Sequence, residues 1–270
     1  MTTSNVPSSA TPAAATTPSR GRFIWHDLMT RDLDGAIRFY KKVCGWETQV
    51  WDTPGMPPYT MFAVEGQAFG GLMALPADAP APPHWVAYVT TPDVDATVAQ
   101  AQSLGAAIMV PARDIPDVGR FAVIADPQGA LFAVFTSKNE TPEPPGMPGL
   151  GLFSWHELAT TDHVAALDFY AKLFGWEKTS EFDMGSMGVY VLFGRNGEAM
   201  GGMFNKPADM PFPPNWLPYV HVDSADAAAE RVTAAGGTVM NGPMDVPGGR
   251  ITQCMDPQGG MFAVHSVTPA

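Results

Sequence analysis

Cysteine is nearly absent from the 270 residues: Cys44 and Cys254 are the only two. Two thiols give no disulfide framework, so the fold must be held by its core, and the length leaves room for two ordinary domains. Positive charge is scarce as well. Fifteen Lys and Arg face 27 Asp and Glu, for a formal net charge of -12, which argues against nucleic acid or an anionic membrane as partner. No apolar run approaches membrane-spanning length, and the start lacks a basic segment followed by an apolar one. The expectation is a cytoplasmic, disulfide-free protein.

What is present is repetition. "WHDLMTRDLDGAIRFYKKVCGW" at 25–46 returns as "WHELATTDHVAALDFYAKLFGW" at 155–176. "FGGLMALP" returns as "MGGMFNKP", "HWVAYV" as "NWLPYV", and "ADPQGALFAVF" as "MDPQGGMFAVH". Near-constant spacing indicates tandem duplication of a globular unit. The Ser/Thr/Pro/Ala-rich residues 1–20 read as a disordered tail. The Pro-rich stretch 138–151 reads as a linker. That leaves two folded halves, 21–137 and 152–270. Cys44 and Cys254 match Phe174 and Ile124 in the other half, which marks them as core filler.

Each half has its own inner rhythm. "RFIWHDLMT" reads as a strand, followed by a helix capped by Asp32 with apolar residues at helical spacing and Gly45 at its end. Strands are expected around 46–52, 59–64 and 69–75, the last two joined by a tight turn. The same order restarts at "HWVAYVT", with Asp93 capping a helix and strands near 107–110, 120–125 and 130–136. The chain is therefore four βαβββ modules, an α+β protein.

In "DLDGAIRFYKKVCGW" and "DPQGALFAVF", and in their second-half copies, this pattern resembles the vicinal oxygen chelate superfamily of glyoxalases, bleomycin-resistance proteins and extradiol dioxygenases. The similarity covers nearly everything after residue 21 and is nearest to two-domain, glyoxalase-like proteins often labelled hydroxylases. It implies that modules pair to curl their strands into cups, with the ligand on the concave face and helices outside. It also implies positions for metal ligands. These fall on Trp25, Val86 and Ala133 in the first half and on Trp155, Leu217 and Ala263 in the second, while the fourth strand of each offers only "GGLMA" or "GGMFN". None carries an imidazole or a carboxylate, so no metal and no cofactor is expected. His26 and His156 lie one residue beyond the first-strand position, and strand alternation sends them to the other face. There they are expected between sheet and helix, bonded to backbone.

Alternation from Trp25 turns Phe23, Asp27 and Met29 into the first cup, with His84, Tyr88 and Thr90. In the second cup it places Phe153, Trp155, Glu157, Tyr219, His221 and His265. Trp25, Asp27, Tyr88, Trp155 and Tyr219 are the expected ligand-binding residues. Glu157, His221 and His265 are the expected catalytic group, because two imidazoles beside a carboxylate suit proton transfer; the same trio could also form a shifted two-His, one-carboxylate metal site. Arg120 and Arg250 are expected to pair with the Asp of the nearby "DPQG" turn, the alternative being an anionic ligand at the cup rim. The function expected is binding of a small apolar or aromatic molecule, without the family's metal, by a monomer or weak homodimer. The sequence leaves turnover of that molecule open. Two other readings stay open: a metal-dependent glyoxalase-type lyase, isomerase or dioxygenase, and a drug-sequestering resistance protein.

Overall fold

A computed structural model describes residues 20–53, 57–139 and 146–267. Nearly all of the expected tail and much of the expected linker lie outside them. The first half runs β1 (Phe23–Thr30), α1 (Leu33–Cys44), β2 (Glu47–Trp51), β3 (Tyr59–Val64) and β4 (Gln67–Ala74). It continues with β5 (His84–Thr90), α2 (Val94–Ser103), β6 (Ala107–Ile115), β7 (Gly119–Ala125) and β8 (Leu131–Ser137). The second half repeats this order. Its first module is β9 (Phe153–Thr160), α3 (His163–Phe174), β10 (Glu177–Asp183), β11 (Val189–Arg195) and β12 (Glu198–Asn205). Its second is β13 (Asn215–His221), α4 (Ala225–Ala234), β14 (Thr238–Val246), β15 (Gly249–Met255) and β16 (Met261–Ser266). A short 3-10 turn at Gly185–Met187 is inserted between β10 and β11.

Local chemistry sets the boundaries. Asp32 accepts the Gly35 amide at 2.8 Å to start α1, and Asp93 and Asp162 open α2 and α3 in the same way. The β3–β4 and β11–β12 turns put Glu65–Gly66 and Asn196–Gly197 in the left-handed region that a two-residue hairpin requires. β6 runs five residues past its expected end. It passes Pro111 because it lies at the sheet edge, where a missing amide donor is tolerated, and irregularities on either side absorb the misfit.

Each half makes one eight-stranded sheet from its own strands, in the orders β2-β3-β4-β1-β5-β8-β7-β6 and β10-β11-β12-β9-β13-β16-β15-β14. The central pairs β1–β5 and β9–β13 are antiparallel and join the two modules of each half. Each cup therefore comes from consecutive modules.

The other face of each sheet, with its helices, packs across the halves. Phe39, Tyr40, Val43 and Trp46 of the first module share a core with Val220, Val232 and Phe262 of the fourth. Phe169, Tyr170, Leu173 and Trp176 share the other core with Val89, Ile124 and Phe132. The repeated phrases meet inside these cores. Tyr40 donates to Asp256 at 3.0 Å and accepts from Trp85 at 3.2 Å. Tyr170 donates to Asp126 at 2.9 Å and accepts from Trp216 at 3.0 Å. The "FY" of one half thus binds the "DPQG" aspartate of the other, which gives the duplication a physical use: each copy completes its partner's core.

Those aspartates also hold their own turns, taking the amides of Gln128 and Ala130 or of Gln258 and Gly260. Arg120 and Arg250 do not reach them, contrary to the sequence expectation. Arg120 is clamped by Asp95 and Asp114, and Arg250 by Asp226 and Asp245. They sit on the strand before the turn, where the first residues of α2 and α4 offer nearer carboxylates.

His26 and His156 do leave the cups, and they meet where the two halves face each other. Their Nε2 atoms are 2.8 Å apart, so one ring donates and the other accepts. The rings are only 3% and 6% exposed. His156 stacks on Phe23 at 3.6 Å, and His26 lies 3.9 Å from Phe153. The expected setting between sheet and helix is replaced by this cross-half bond. Burial pushes the pKa of His156 down to about 3 and that of His26 well below the usual histidine range.

Candidate functional site

Strand alternation places Trp25, Asp27 and Met29 on the concave face of the first sheet, but it fails for Phe23. The β1–β5 register slips between Phe23 and Trp25, because Phe23 faces Val89 while Trp25 faces Tyr88. The extra residue is a bulge, which turns Phe23 out of the cup and lets Ile24 pack beside Trp25. The β9–β13 pair slips at the same place, and Phe153 joins the cross-half core. These two bulges supply the aromatic planes that sandwich the histidine pair.

At the floor of the first cup lies Asp27, 4% exposed. Tyr88 donates to it at 2.8 Å and the Trp25 indole at 3.1 Å; Tyr59 donates a short bond. Glu157 holds the matching place in the second cup at 8% exposed. It accepts from Tyr190 at 3.0 Å, from Gln253 at 3.1 Å and from Tyr219. The Trp155 indole donates to Tyr190 at 3.1 Å. Desolvation raises the pKa of both carboxyls, and the hydroxyl donors pull part of that shift back. Desolvation and the adjacent carboxylate raise the tyrosine pKa values in turn, so these hydroxyls act as donors.

All ligand-binding residues named from the sequence fall in the two cups. Tyr59, Tyr190 and Gln253 were not legible from strand phase alone. A usable signal was present for the tyrosines: the chain has six, and all six recur in matching positions of the two halves. Each hydroxyl bonds a buried carboxylate. The double glycines have a related cause. A Cβ on Gly71 would lie 2.0 Å from the Tyr59 hydroxyl, and one on Gly202 would lie 2.2 Å from the Tyr190 ring. The missing side chain is what lets each tyrosine cross the sheet to its carboxylate.

The structure does not bring Glu157, His221 and His265 together. His221 and His265 are side by side on β13 and β16, ring centres 6.0 Å apart. His221 is bonded to the Pro148 carbonyl at 2.8 Å, and His265 lies 3.4 Å from the Ser154 hydroxyl. Glu157 faces Leu217, four residues back along β13, a separation of roughly 13 Å at strand rise. The histidines thus flank the end of the cup near residue 148, and the carboxylate lies in its floor. Burial, and His221 nearby, lower the pKa of His265.

Nor do the positions that the resemblance marks for metal ligands offer donors. Trp25, Gly71, Val86 and Ala133 lie on adjoining strands around Asp27 and Tyr88, as Trp155, Gly202, Leu217 and Ala263 do around Glu157 and Tyr219. Indole, alkyl and glycine positions supply no lone pair to a cation. Among the described residues no group of three His, Cys, Asp or Glu is placed to hold one. Two shallow clefts, about 340 and 240 Å³, lie outside the cups, beside Arg38 and Gln258 and beside Asp93 and Arg120. Both are open surface grooves without the buried carboxylates that mark the cups.

Comparison with known proteins bears on this geometry. The family model described as Glyoxalase/Bleomycin resistance protein/Dioxygenase superfamily matches residues 22–134 and again 152–264. A protein of Mycobacterium tuberculosis named "Putative glyoxylase CFP32" is 36% identical over 258 residues, covering 91% of this chain and 94% of its own. The anthracycline biosynthesis protein DnrV of Streptomyces peucetius is 31% identical, covering 89% and 91%. Among solved structures, the Mn(II)-bound glyoxalase of Novosphingobium aromaticivorans superposes with a TM-score of 0.62 at 18% identity, over 92% of this chain and 83% of that one. At that identity the likeness is one of fold.

Proposed function

Because the chain belongs to the Glyoxalase/Bleomycin resistance protein/Dioxygenase superfamily, we propose that it binds a small apolar or aromatic molecule in its cups without the metal that the family resemblance implies. The observation that carries this reading is the pair of buried carboxylates, Asp27 and Glu157, each set among tyrosines and an indole. Where a cation would need ligands, these cups present aromatic faces and oriented hydroxyls. Such a surface holds a planar ligand by stacking and fixes it by a few hydrogen bonds. Two relatives, DnrV and DauV, carry names placing them in the making of anthracyclines, which are fused-ring aromatics, and this favours the same ligand class.

Within this reading Glu157 is the functional carboxylate. Its oxygens accept from Tyr190 and Gln253, and Gln253 also bonds Tyr219 at 3.2 Å. In the first cup the place of Gln253 is taken by Val123, and the third donor to Asp27 is the Trp25 indole instead of an amide. A raised carboxyl pKa brings Glu157 closer to neutrality, where it can give or take a proton at a ligand atom above it. His221 and His265 belong to the proposal as groups flanking the cup end, able to meet the far end of a long ligand.

Ligand extracted from the purified protein and identified by mass spectrometry tests the class. Replacing Glu157 with Gln keeps the shape and removes the charge. It should weaken binding or turnover of that ligand at least tenfold, whereas Asp27→Asn has the smaller effect. The reverse ranking would move the function to the first cup. A stoichiometric metal in protein purified without added metal would reject the metal-free reading.

A further inference from the structure

The two cups share a floor and differ in a wall. Arg113 on β6 stands opposite Phe121 on β7, and its guanidinium carbon lies 4.8 Å over the centre of that ring. Phe121 lies 6.2 Å from Tyr88, whose hydroxyl donates to Asp27. A cation therefore overhangs the aromatic basin of the first cup. It is near enough to Tyr88 to oppose the burial that raises that hydroxyl's pKa.

Beyond its stacking on Phe121 and its field at Tyr88, this charge has no partner among the described residues. Among the described residues Arg113 has no hydrogen bond and no carboxylate partner, although the chain has 27 acidic side chains to 15 basic ones. The nearby Arg120 shows the contrast, with Asp95 at 2.8 Å and Asp114 at 3.0 Å. In the second half the residue facing Ile251, the counterpart of Phe121, is Met244. The same sheet thus forms with a neutral side chain at this place, so packing alone does not call for a guanidinium. Asp27, 4% exposed, is set back from an anion above it. It lies beneath the Tyr59 and Tyr88 hydroxyls and the Trp25 indole, which occupy its oxygens.

We propose that the first cup is a second binding site, selective for an aromatic anion, whose rings lie over Trp25, Tyr88 and Phe121 and whose carboxylate, sulfonate or phenolate is held by Arg113. The second cup, with Met244 and Gln253, takes a neutral ligand. This rests on the reading of the cups as ligand sites. Arg113 suits the task because its planar fork stacks on Phe121 while its N–H edge stays free for an oxyanion.

Two fluorescent probes separate charge from ring. 8-Anilinonaphthalene-1-sulfonate and N-phenyl-1-naphthylamine share one ring system and differ by a single sulfonate. In fluorescence titrations the wild-type protein should bind both. Arg113→Met should raise the Kd of the sulfonate about tenfold, the low end for a charge-assisted bond because the site is open to solvent. The neutral probe should change less than about twofold, on the same footing that it lacks the charged contact. Arg113→Lys should keep most of the sulfonate affinity, and added salt should weaken the sulfonate in wild type far more than in Arg113→Met. An unchanged sulfonate Kd in Arg113→Met, or equal weakening of both probes, would overturn the assignment while leaving the cups as ligand sites. Failure of both probes to bind wild type would overturn the cup reading along with it.

Discussion

Acid should weaken this protein through the histidine pair between its halves. His26 and His156 share one proton at 2.8 Å between two phenylalanine rings, with almost no access to water. Both pKa values are depressed, that of His156 to about 3, whereas an unfolded chain binds the proton near 6.5. Below about pH 6.5 the unfolded state therefore holds more protons than the folded one. Stability must then fall as pH falls, and the loss is complete only when the pH passes the folded pKa. For His156 alone the loss at pH 5 is about 2 kcal/mol, from roughly 1.4 kcal/mol per pH unit over one and a half units. Asp27, Glu157, Asp126 and Asp256 act in the opposite sense, because burial raises their pKa values and acid favours their folded forms. The histidine contribution is isolated by comparison with His26→Gln/His156→Gln, in which amides can still bond each other but do not titrate. Urea denaturation at pH 7.5 and pH 5.0 measures the difference. Wild type should lose at least about 2 kcal/mol more than the double variant, the His156 share alone, or roughly 5 °C or more in Tm, with His26 adding to it. Equal pH dependence of the two proteins would refute the reasoning and mean that the rings take up protons in the folded state.

Tyr40→Phe and Tyr170→Phe each remove the donor to a buried aspartate of the other half, and should cost about 1–3 kcal/mol in thermal or urea unfolding. Gly202→Ala must displace the Tyr190 ring from Glu157; it should weaken binding of N-phenyl-1-naphthylamine, read by fluorescence, more than it lowers Tm. Chelator should leave the melting temperature of the purified protein unchanged, since a bound metal would stabilise by mass action, and a fall of several degrees would point to a cation site.

Elements with a period or a cap were legible in the sequence because their causes are local. Asp32, Asp93 and Asp162 carry their helix starts within three residues, and alternation from Trp25 put Asp27, Tyr88, Glu157 and Tyr219 on concave faces. The repeat made the modular order plain, since four matching units can curl into two cups without any long crossover. Contacts between distant segments were decided only in the tertiary structure. A single-residue bulge at Ile24 reversed Phe23, and no pattern of alternation contains the register slip that causes it. Arg120 chose Asp95 over Asp126 because a helix start came within reach, which depends on how helix and sheet meet. The joining of Tyr40 to Asp256, and of His26 to His156, depends on one half lying against the other. A repeat shows that two copies exist, but which residues of one copy touch the other is fixed by packing geometry.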